Sequence, residues 1–192
     1  MLELAVLGLL HESPLHGYEL SKRLKGVLGP LRAISYGSLY PCLRSLQGDG
    51  LITIDDSASE AGPGRRKRRV YKLTAEGKER LQSQLAEAGP STWDDESFGV
   101  RLALFAQTDK AVRLQILEGR RSRLEERHAS VASSLSRARE KLDRYTLELQ
   151  QHGLESVERE VRWLNELIAD ERAGVTARPR RPVRITTQGV NR

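Results

Sequence analysis

The chain has 192 residues, enough for one sizeable domain or two small ones. At 38% hydrophobic, 30% charged and only 5% aromatic, it reads as a soluble chain without a large aromatic core. The net charge of +6 is unevenly spread. Residues 1–90 hold 13 Lys/Arg against 10 Asp/Glu, residues 91–173 hold 14 against 16, and residues 174–192 hold 5 against none. Residues 62–72 alone carry six cations and no anion. Excess charge concentrated at two places points to a polyanionic partner. Cys42 is the single cysteine, so an internal disulfide is excluded. The apolar stretch from Leu2 to Leu10 is short and contains Glu3. It lacks a basic start and a small-residue cleavage site, so it reads as neither a signal peptide nor a membrane span. A cytoplasmic location fits these features.

In chain order, Met1 to His11 reads as a near-continuous apolar helix, buried on most sides. Ser13 and Pro14 resemble a helix start, with Ser13 as cap and Pro14 in the first turn. The second helix places Leu20 and Leu24 four residues apart, keeps Lys22, Arg23 and Lys25 mostly outside, and is broken by Gly26, Gly29 and Pro30. In the third helix, Leu39, Leu43 and Leu46 stand at i, i+4 and i+7 and form one apolar face. Pro41 limits where this helix begins. Either the cap lies near Gly37 or Ser38, or the helix begins at Ser35 and bends. Ser38, Tyr40, Pro41 and Arg44 then fall on or near the opposite face. Hydroxyls can serve phosphates or base edges, Pro can pack on a thymine methyl, and Arg can fork onto guanine or a phosphate.

Leu51 to Ile54 and Arg69 to Leu73 are strand-like. The connection between them is acidic first, Gly/Pro-rich next and basic last. Its tip is Arg65, Arg66, Lys67 and Arg68. Thr74 is a credible cap for a fourth helix. The order helix, helix, helix, strand, strand, helix is that of a winged helix-turn-helix. A slim polar helix beside a cationic hairpin suits a duplex reader: one enters the major groove, the other reaches phosphates or the minor groove.

Gly89-Pro90-Ser91 marks a boundary, followed by a short helix near Glu96 to Gln107. A long helix capped at Thr108 and Asp109 comes next. From Leu114 its seam alternates steps of three and four: Leu114, Leu117, Arg121, Leu124, His128, Val131, Leu135, Ala138, Leu142, Tyr145 and Leu149. Such a helix would be ~60 Å long, with Gly153 ending it. Leu154, Val157, Val161, Leu164 and Ile168 give the next helix one apolar face. The fold class is therefore mainly α with a small β-wing. The expected division is a winged domain at 1–88, a helical dimerisation domain at 93–173 and a disordered basic tail at 174–192, with Arg178, Arg180 and Arg181 among its charges.

Read together, His16-Gly17-Tyr18-Glu19-Leu20, Gly37-Ser38-Leu39-Tyr40-Pro41 with Leu43 and Leu46, Gly50-Leu51-Ile52, and Arg69-Val70-Tyr71-Lys72-Leu73-Thr74 with Gly77 resemble the PadR family of bacterial transcriptional regulators. The second half resembles the helical domain of the family's longer subfamily. The resemblance implies a homodimer, usually a repressor, whose two winged domains bind an inverted-repeat operator in double-stranded DNA. It implies a recognition helix that includes Gly37 to Arg44 and a wing tip at Arg65 to Arg68. The expected DNA-binding set is thus Ser35, Gly37, Ser38, Tyr40, Pro41, Arg44, Arg65, Arg66, Lys67 and Arg68. The expected dimerisation set is Leu117, Leu124, Val131, Leu135, Leu142, Leu149 and Leu164. Effectors vary across the family, so the resemblance names no ligand.

Cys42 reads as a small buried hydrophobe, since a redox sensor needs an exposed, low-pKa thiolate. His11, His16, His128 and His152 show no metal-ligand spacing, and no cofactor or metal is expected. His128 and Arg121 interrupt the seam and are expected to meet carboxylates of a partner helix. No catalytic constellation stands in a supporting context, so an enzyme is not expected. Trp93, Phe98, Phe105 and Trp163 read as core. The sharper alternative makes them a pocket for a planar small-molecule or nucleotide effector between the domains. Two other functions compete with a sequence-specific regulator: a nonspecific, nucleoid-type duplex binder, and a protein-interaction scaffold with an inactive winged helix.

Overall fold

A computed structural model describes residues 1–28, 36–55, 69–138 and 142–174. Among them are seven α-helices and three short strands. Helix α1 (Leu2–Glu12) buries seven consecutive residues, Leu4 to Leu10. A helix can do so only when neighbours surround it.

From α1 the chain passes into a strand, not into a second helix. Ser13 is extended, at φ −166° and ψ 154°, as a residue before proline prefers. Strand β1 (Leu15–His16) pairs antiparallel with Tyr71 and Val70, and α2 (Gly17–Leu28) follows. This corrects the helix start expected at Ser13 and Pro14. Pairing with the sheet takes residues that local capping would have claimed. Gly26 likewise lies inside α2, while Gly29 and Pro30 fall outside the described residues.

Helix α3 (Tyr36–Gly48) carries Pro41 in its interior, so it begins ahead of the cap considered at Gly37 or Ser38. Proline leaves the carbonyl four residues back, that of Gly37, without its helical donor. Both residues are exposed. Leu39, Leu43 and Leu46 are 0–1% exposed, as the spacing required. At the C-terminus of α3 the Leu51 N–H donates to the Leu46 carbonyl at 2.9 Å and the Gly50 N–H to that of Gln47 at 3.1 Å. This double closure needs a left-handed residue, and Gly50 supplies it at φ +72°.

Strands β2 (Ile52–Ile54) and β3 (Val70–Leu73) complete an antiparallel sheet in the order β1-β3-β2. Thr74 caps α4 (Ala75–Leu85), as expected. Its hydroxyl oxygen accepts from the Gly77 N–H at 3.0 Å, and its O–H donates to the Gly50 carbonyl at 2.7 Å. The first core joins α1, α2, α3, the sheet and α4, and it also takes Val100 and Leu104. This is a winged helix-turn-helix fold.

Helix α5 (Asp95–Ala103) belongs to two cores. Val100 packs into the first, and Phe98 packs into a second with Ile116, Leu117, Leu124, Leu164 and Ile168. The single long helix expected from Leu114 to Leu149 is instead two, α6 (Lys110–Ala138) and α7 (Arg144–Ala173). Asp143 starts α7, its carboxylate accepting from the N–H groups of Tyr145 at 2.9 Å and Thr146 at 3.1 Å. Helix α7 then runs back along α6, with Arg113 on Glu171, Arg120 on Glu160 and His128 on Glu158. The reason is burial. The apolar face of α7 needs a cover, and the seam of α6 is the nearest one of matching period. Gly153 accordingly lies inside α7 and ends nothing.

The fold-back redistributes the seam. Leu117, Leu124 and Leu164 are 0–6% exposed within a single chain, so they are core residues. Val131, Leu135 and Leu142 are half-buried. Beyond the turn, Tyr145 is 83% exposed and Leu149 is 68% exposed. His128 and Arg121 meet α7 of the same chain, at Glu158 and Asn165. Among the described residues no helix is long and apolar enough to cross a membrane.

A Cβ on Gly77 would overlap the backbone carbonyl of Leu51, which cannot swing aside as a side chain could. Alanine would gain up to ~1 kcal/mol in helix propensity, but such an overlap costs about 1–3 kcal/mol or more. Gly77→Ala is therefore expected to destabilise the chain, seen as a lower urea midpoint at unchanged slope.

Candidate nucleic-acid interface

Helix α3 divides cleanly into two faces. Its leucines are sealed into the first core, while Gly37, Ser38, Tyr40, Pro41 and Arg44 are all exposed. Burial of three leucines, at about 1.5–3 kcal/mol each, fixes the rotation of the helix and so chooses which residues face outward. Tyr40 is 43% exposed. Arg44 makes no ion pair with a described residue, so its guanidinium is available. Ser35 and the wing-tip residues Arg65, Arg66, Lys67 and Arg68 lie outside the described residues, as does the tail with Arg178, Arg180 and Arg181.

Beside α3 runs an open groove of about 690 Å³. It is lined by His16, Gly17, Tyr18 and Glu19 at the start of α2, by Tyr40, and by Arg69 and Tyr71 on the wing. Tyr18 is 68% exposed. Arg69 is exposed and makes no ion pair with a described residue. Three tyrosines, the Arg69 guanidinium, the Glu19 carboxylate and the N-terminal turn of α2 thus line one cleft. The tyrosine hydroxyls, the guanidinium and the helix turn suit the oxygens of a phosphate backbone, whereas Glu19 would keep phosphate from its end of the cleft. Tyr18 and Arg69 were absent from the expected site set. Their signal in the sequence was weak: one stood in the His16 to Leu20 motif and the other read as the first residue of a strand.

The four aromatics considered for an effector gather around the second core. Phe98 is buried, edge-on to Trp163 with ring centroids 6.2 Å apart, and the Arg120 guanidinium lies 4.8 Å over its face. Trp93 and Phe105 pack against the same cluster. Trp93 seats on Gly119, where any side chain would overlap its ring, and its indole N–H donates to the Ala88 carbonyl at 3.1 Å. Trp93 also lines an open cleft of about 1030 Å³ between residues 86–93 and α6. Among the described residues no group of three or more His, Cys, Asp or Glu could hold a metal ion.

Residues 6–83 match the transcriptional regulator PadR-like family. This segment is similar to PadR-like domains. A curated relative, the negative transcriptional regulator PadR of Bacillus subtilis (strain 168), is 30% identical over 90 residues, covering 47% of this chain and 48% of its own length. The chain thus spans about half the length of that relative. Among solved structures, Bacillus subtilis PadR in complex with operator DNA is 22% identical, with a TM-score of 0.43, over 88% of this chain and 98% of that one. The smu.1604c protein of Streptococcus mutans UA159 is 26% identical, with a TM-score of 0.42, over 87% and 98%. The matched segment contains α3, the groove and Arg69, but ends before α5.

Cys42 sits between the two faces of α3, half-buried against the first core. Burial, and next the negative Glu3, push its thiol above the ordinary range. A thiol with a raised pKa is mostly protonated near neutrality and a poor nucleophile. At pH 7–8, iodoacetamide should alkylate Cys42 more slowly in the native chain than in urea, with the native pH–rate curve displaced upward. Equal rates would show the thiol to be freely ionising.

Proposed function

We propose that this chain is a dimeric, sequence-specific DNA-binding transcriptional regulator, with repression its mode and an inverted repeat its operator. The observation that carries the reading is the two-faced α3. Its polar face presents Ser38, Tyr40, Pro41 and Arg44 as one surface, slim enough to enter a major groove. The groove beside it supplies the phosphate contacts that fix register, through Tyr18, Tyr40 and Arg69. The cationic run Arg65 to Arg68 adds counterion release and reach toward the minor groove. The printed name of the Bacillus subtilis relative, a negative regulator, supports repression as the sign.

A second copy is the natural cover for the apolar side chains left at the turn end of the α6–α7 pair. Tyr145 and Leu149 stand out there, with Leu142 and Leu135 half-buried nearby. Two-fold pairing would offer two α3 helices to half-sites about one duplex turn apart. Release by a small molecule completes the reading. The cleft walled by Trp93 and α6 supports that part, with an aromatic face on one side and Gln115, Arg121 and Ser122 on the other.

Selection from a random duplex pool should enrich a two-fold symmetric sequence. On that sequence Tyr40→Ala and Arg44→Ala should each cost about 1–3 kcal/mol and relax preference at one or two base pairs. Replacing Arg65 to Arg68 by alanine should weaken operator and random DNA alike and flatten the salt slope. A pool that yields no enriched sequence, with equal losses for all variants, would mark a nonspecific binder. For assembly, Tyr145→Glu with Leu149→Glu should shift sedimentation toward the monomer mass. A wild-type chain that is monomeric across micromolar concentrations would remove the dimer.

A further inference from the structure

The connection between the two cores reads in sequence as a break, Gly89-Pro90-Ser91. In the structure it is fastened along its length. Arg101 on α5 is 3% exposed. One of its terminal nitrogens donates to the carbonyls of Gln84 at 2.8 Å and Glu87 at 3.0 Å, and the other to the Glu87 carboxylate at 2.8 Å. Arg120 on α6 is 7% exposed. It donates to the Trp93 carbonyl at 2.7 Å and pairs with Asp95 and Glu160, each at 2.7 Å. The Trp93 indole closes back on Ala88 and its ring lies on Gly119. The Thr92 hydroxyl donates to the Gly89 carbonyl at 2.6 Å. Every few residues from 84 to 95, then, a backbone carbonyl or carboxylate is held by a donor from this segment, α5 or α6.

We infer that Arg101 and Arg120 are positioning residues for DNA recognition: they fix the winged domain against the helical domain, and that angle sets the half-site spacing the assembled protein accepts. The inference rests on the dimeric regulator reading and names what in this chain measures the operator. The physical case is one of directionality. Apolar contact along α5 would tolerate sliding, because burial is nearly indifferent to small shifts. Charge-assisted bonds to three separate carbonyls are not, since they weaken steeply with misalignment. A ligand or partner could change the spacing only by favouring one arrangement of this segment over another.

The test uses the full chain and two readouts. Spin labels are placed at Asp49→Cys, after α3, and Ser133→Cys, on α6, in a Cys42→Ser background, with labelled chain diluted into unlabelled chain. The parent should give one narrow distance, and Arg101→Met a distribution at least about twice as wide, because the Gln84 and Glu87 carbonyls lose their directional donor. Arg101→Lys should recover part of the sharpness. Glu87→Gln, a surface change that leaves the fold intact, should move the distribution the same way by less. The second readout is affinity for the selected operator with its half-sites moved apart or together by single base pairs. Arg101→Met should lose about tenfold on the best spacing, stay within about twofold on an isolated half-site, and show a flattened spacing profile. A distribution as narrow as the parent's, or a spacing profile as sharp, overturns the inference. So does an equal loss on the half-site, which would place Arg101 in DNA contact itself. If the parent shows no spacing preference, the operator reading fails on its own terms, and the distance widths alone decide the role of Arg101.

Discussion

The structure depends on how arginines finish what the helices leave open. Every helix ends with carbonyls that lack an internal donor. Here three guanidiniums take that role at successive connections. Arg101 holds the end of α4, Arg113 holds the Phe105 and Thr108 carbonyls at 3.1 and 2.6 Å, and Arg120 holds that of Trp93. Each also reaches a carboxylate: Glu87, Glu171 and Glu160. The guanidinium suits the task because its planar fork offers five donors in fixed directions and stays charged. Lysine would supply one point charge and leave carbonyls unmatched. These chain reversals are therefore set in direction.

That constraint explains how a small chain carries two cores without a free hinge between them. Helix α5 is too short to be a domain, and its residues are shared: Val100 goes one way and Phe98 the other. Gly8 permits the first contact, since a side chain there would strike Leu104. Gly119 permits the second by admitting the Trp93 ring. Apolar packing brings α5 between the cores, and the arginines fix its register there. The division of labour has a functional reading. In the proposed regulator, the winged domain supplies a polar helix face, and the rest of the chain sets where that face is held.

How much of this could be read from the residues varied with the kind of signal. The winged domain was legible because each element has its own local marker: Leu39, Leu43 and Leu46 for α3, Thr74 for the start of α4, Ile52 to Ile54 and Val70 to Leu73 for the strands. Strand β1 was not, because two residues carry no period and Ser13-Pro14 also spells a helix cap. The polar face of α3 followed from its leucines, whereas Tyr18 and Arg69 became part of the site only once β3 and α2 were brought together. The failure in the second half is the most instructive. Steps of three and four running from Leu114 to Leu149 describe a seam but not its partner. The same period serves one long helix facing a twin and a hairpin facing itself. Asp143 with Thr146 was the local sign of the second solution, and a single cap is outweighed when an apolar pattern runs straight through it. The arginine contacts left no trace in the sequence, for 30% of the chain is charged and nothing marks three arginines among many.

The fold-back also changes what any assembly surface can be. Had α6 continued to Leu149, its leucines would have needed a second chain along their whole length. With α7 returning along α6, the buried positions Leu117, Leu124 and Leu164 are satisfied within one chain, and the exposed apolar atoms gather at the turn end, around Tyr145 and Leu149. An interface there would lie at the tip of helices about 40 Å long. A small angular error at such an interface would become a large displacement at α3. The proposed reading of paired half-sites through so long a lever requires a stiff base. Arg101 and Arg120 are buried but their carboxylates reach solvent, Glu87 at 55% and Asp95 at 74%, and ion pairs screened by solvent add little stability. The role of Arg101 and Arg120 is therefore better explained by the directions they impose than by the energy they add.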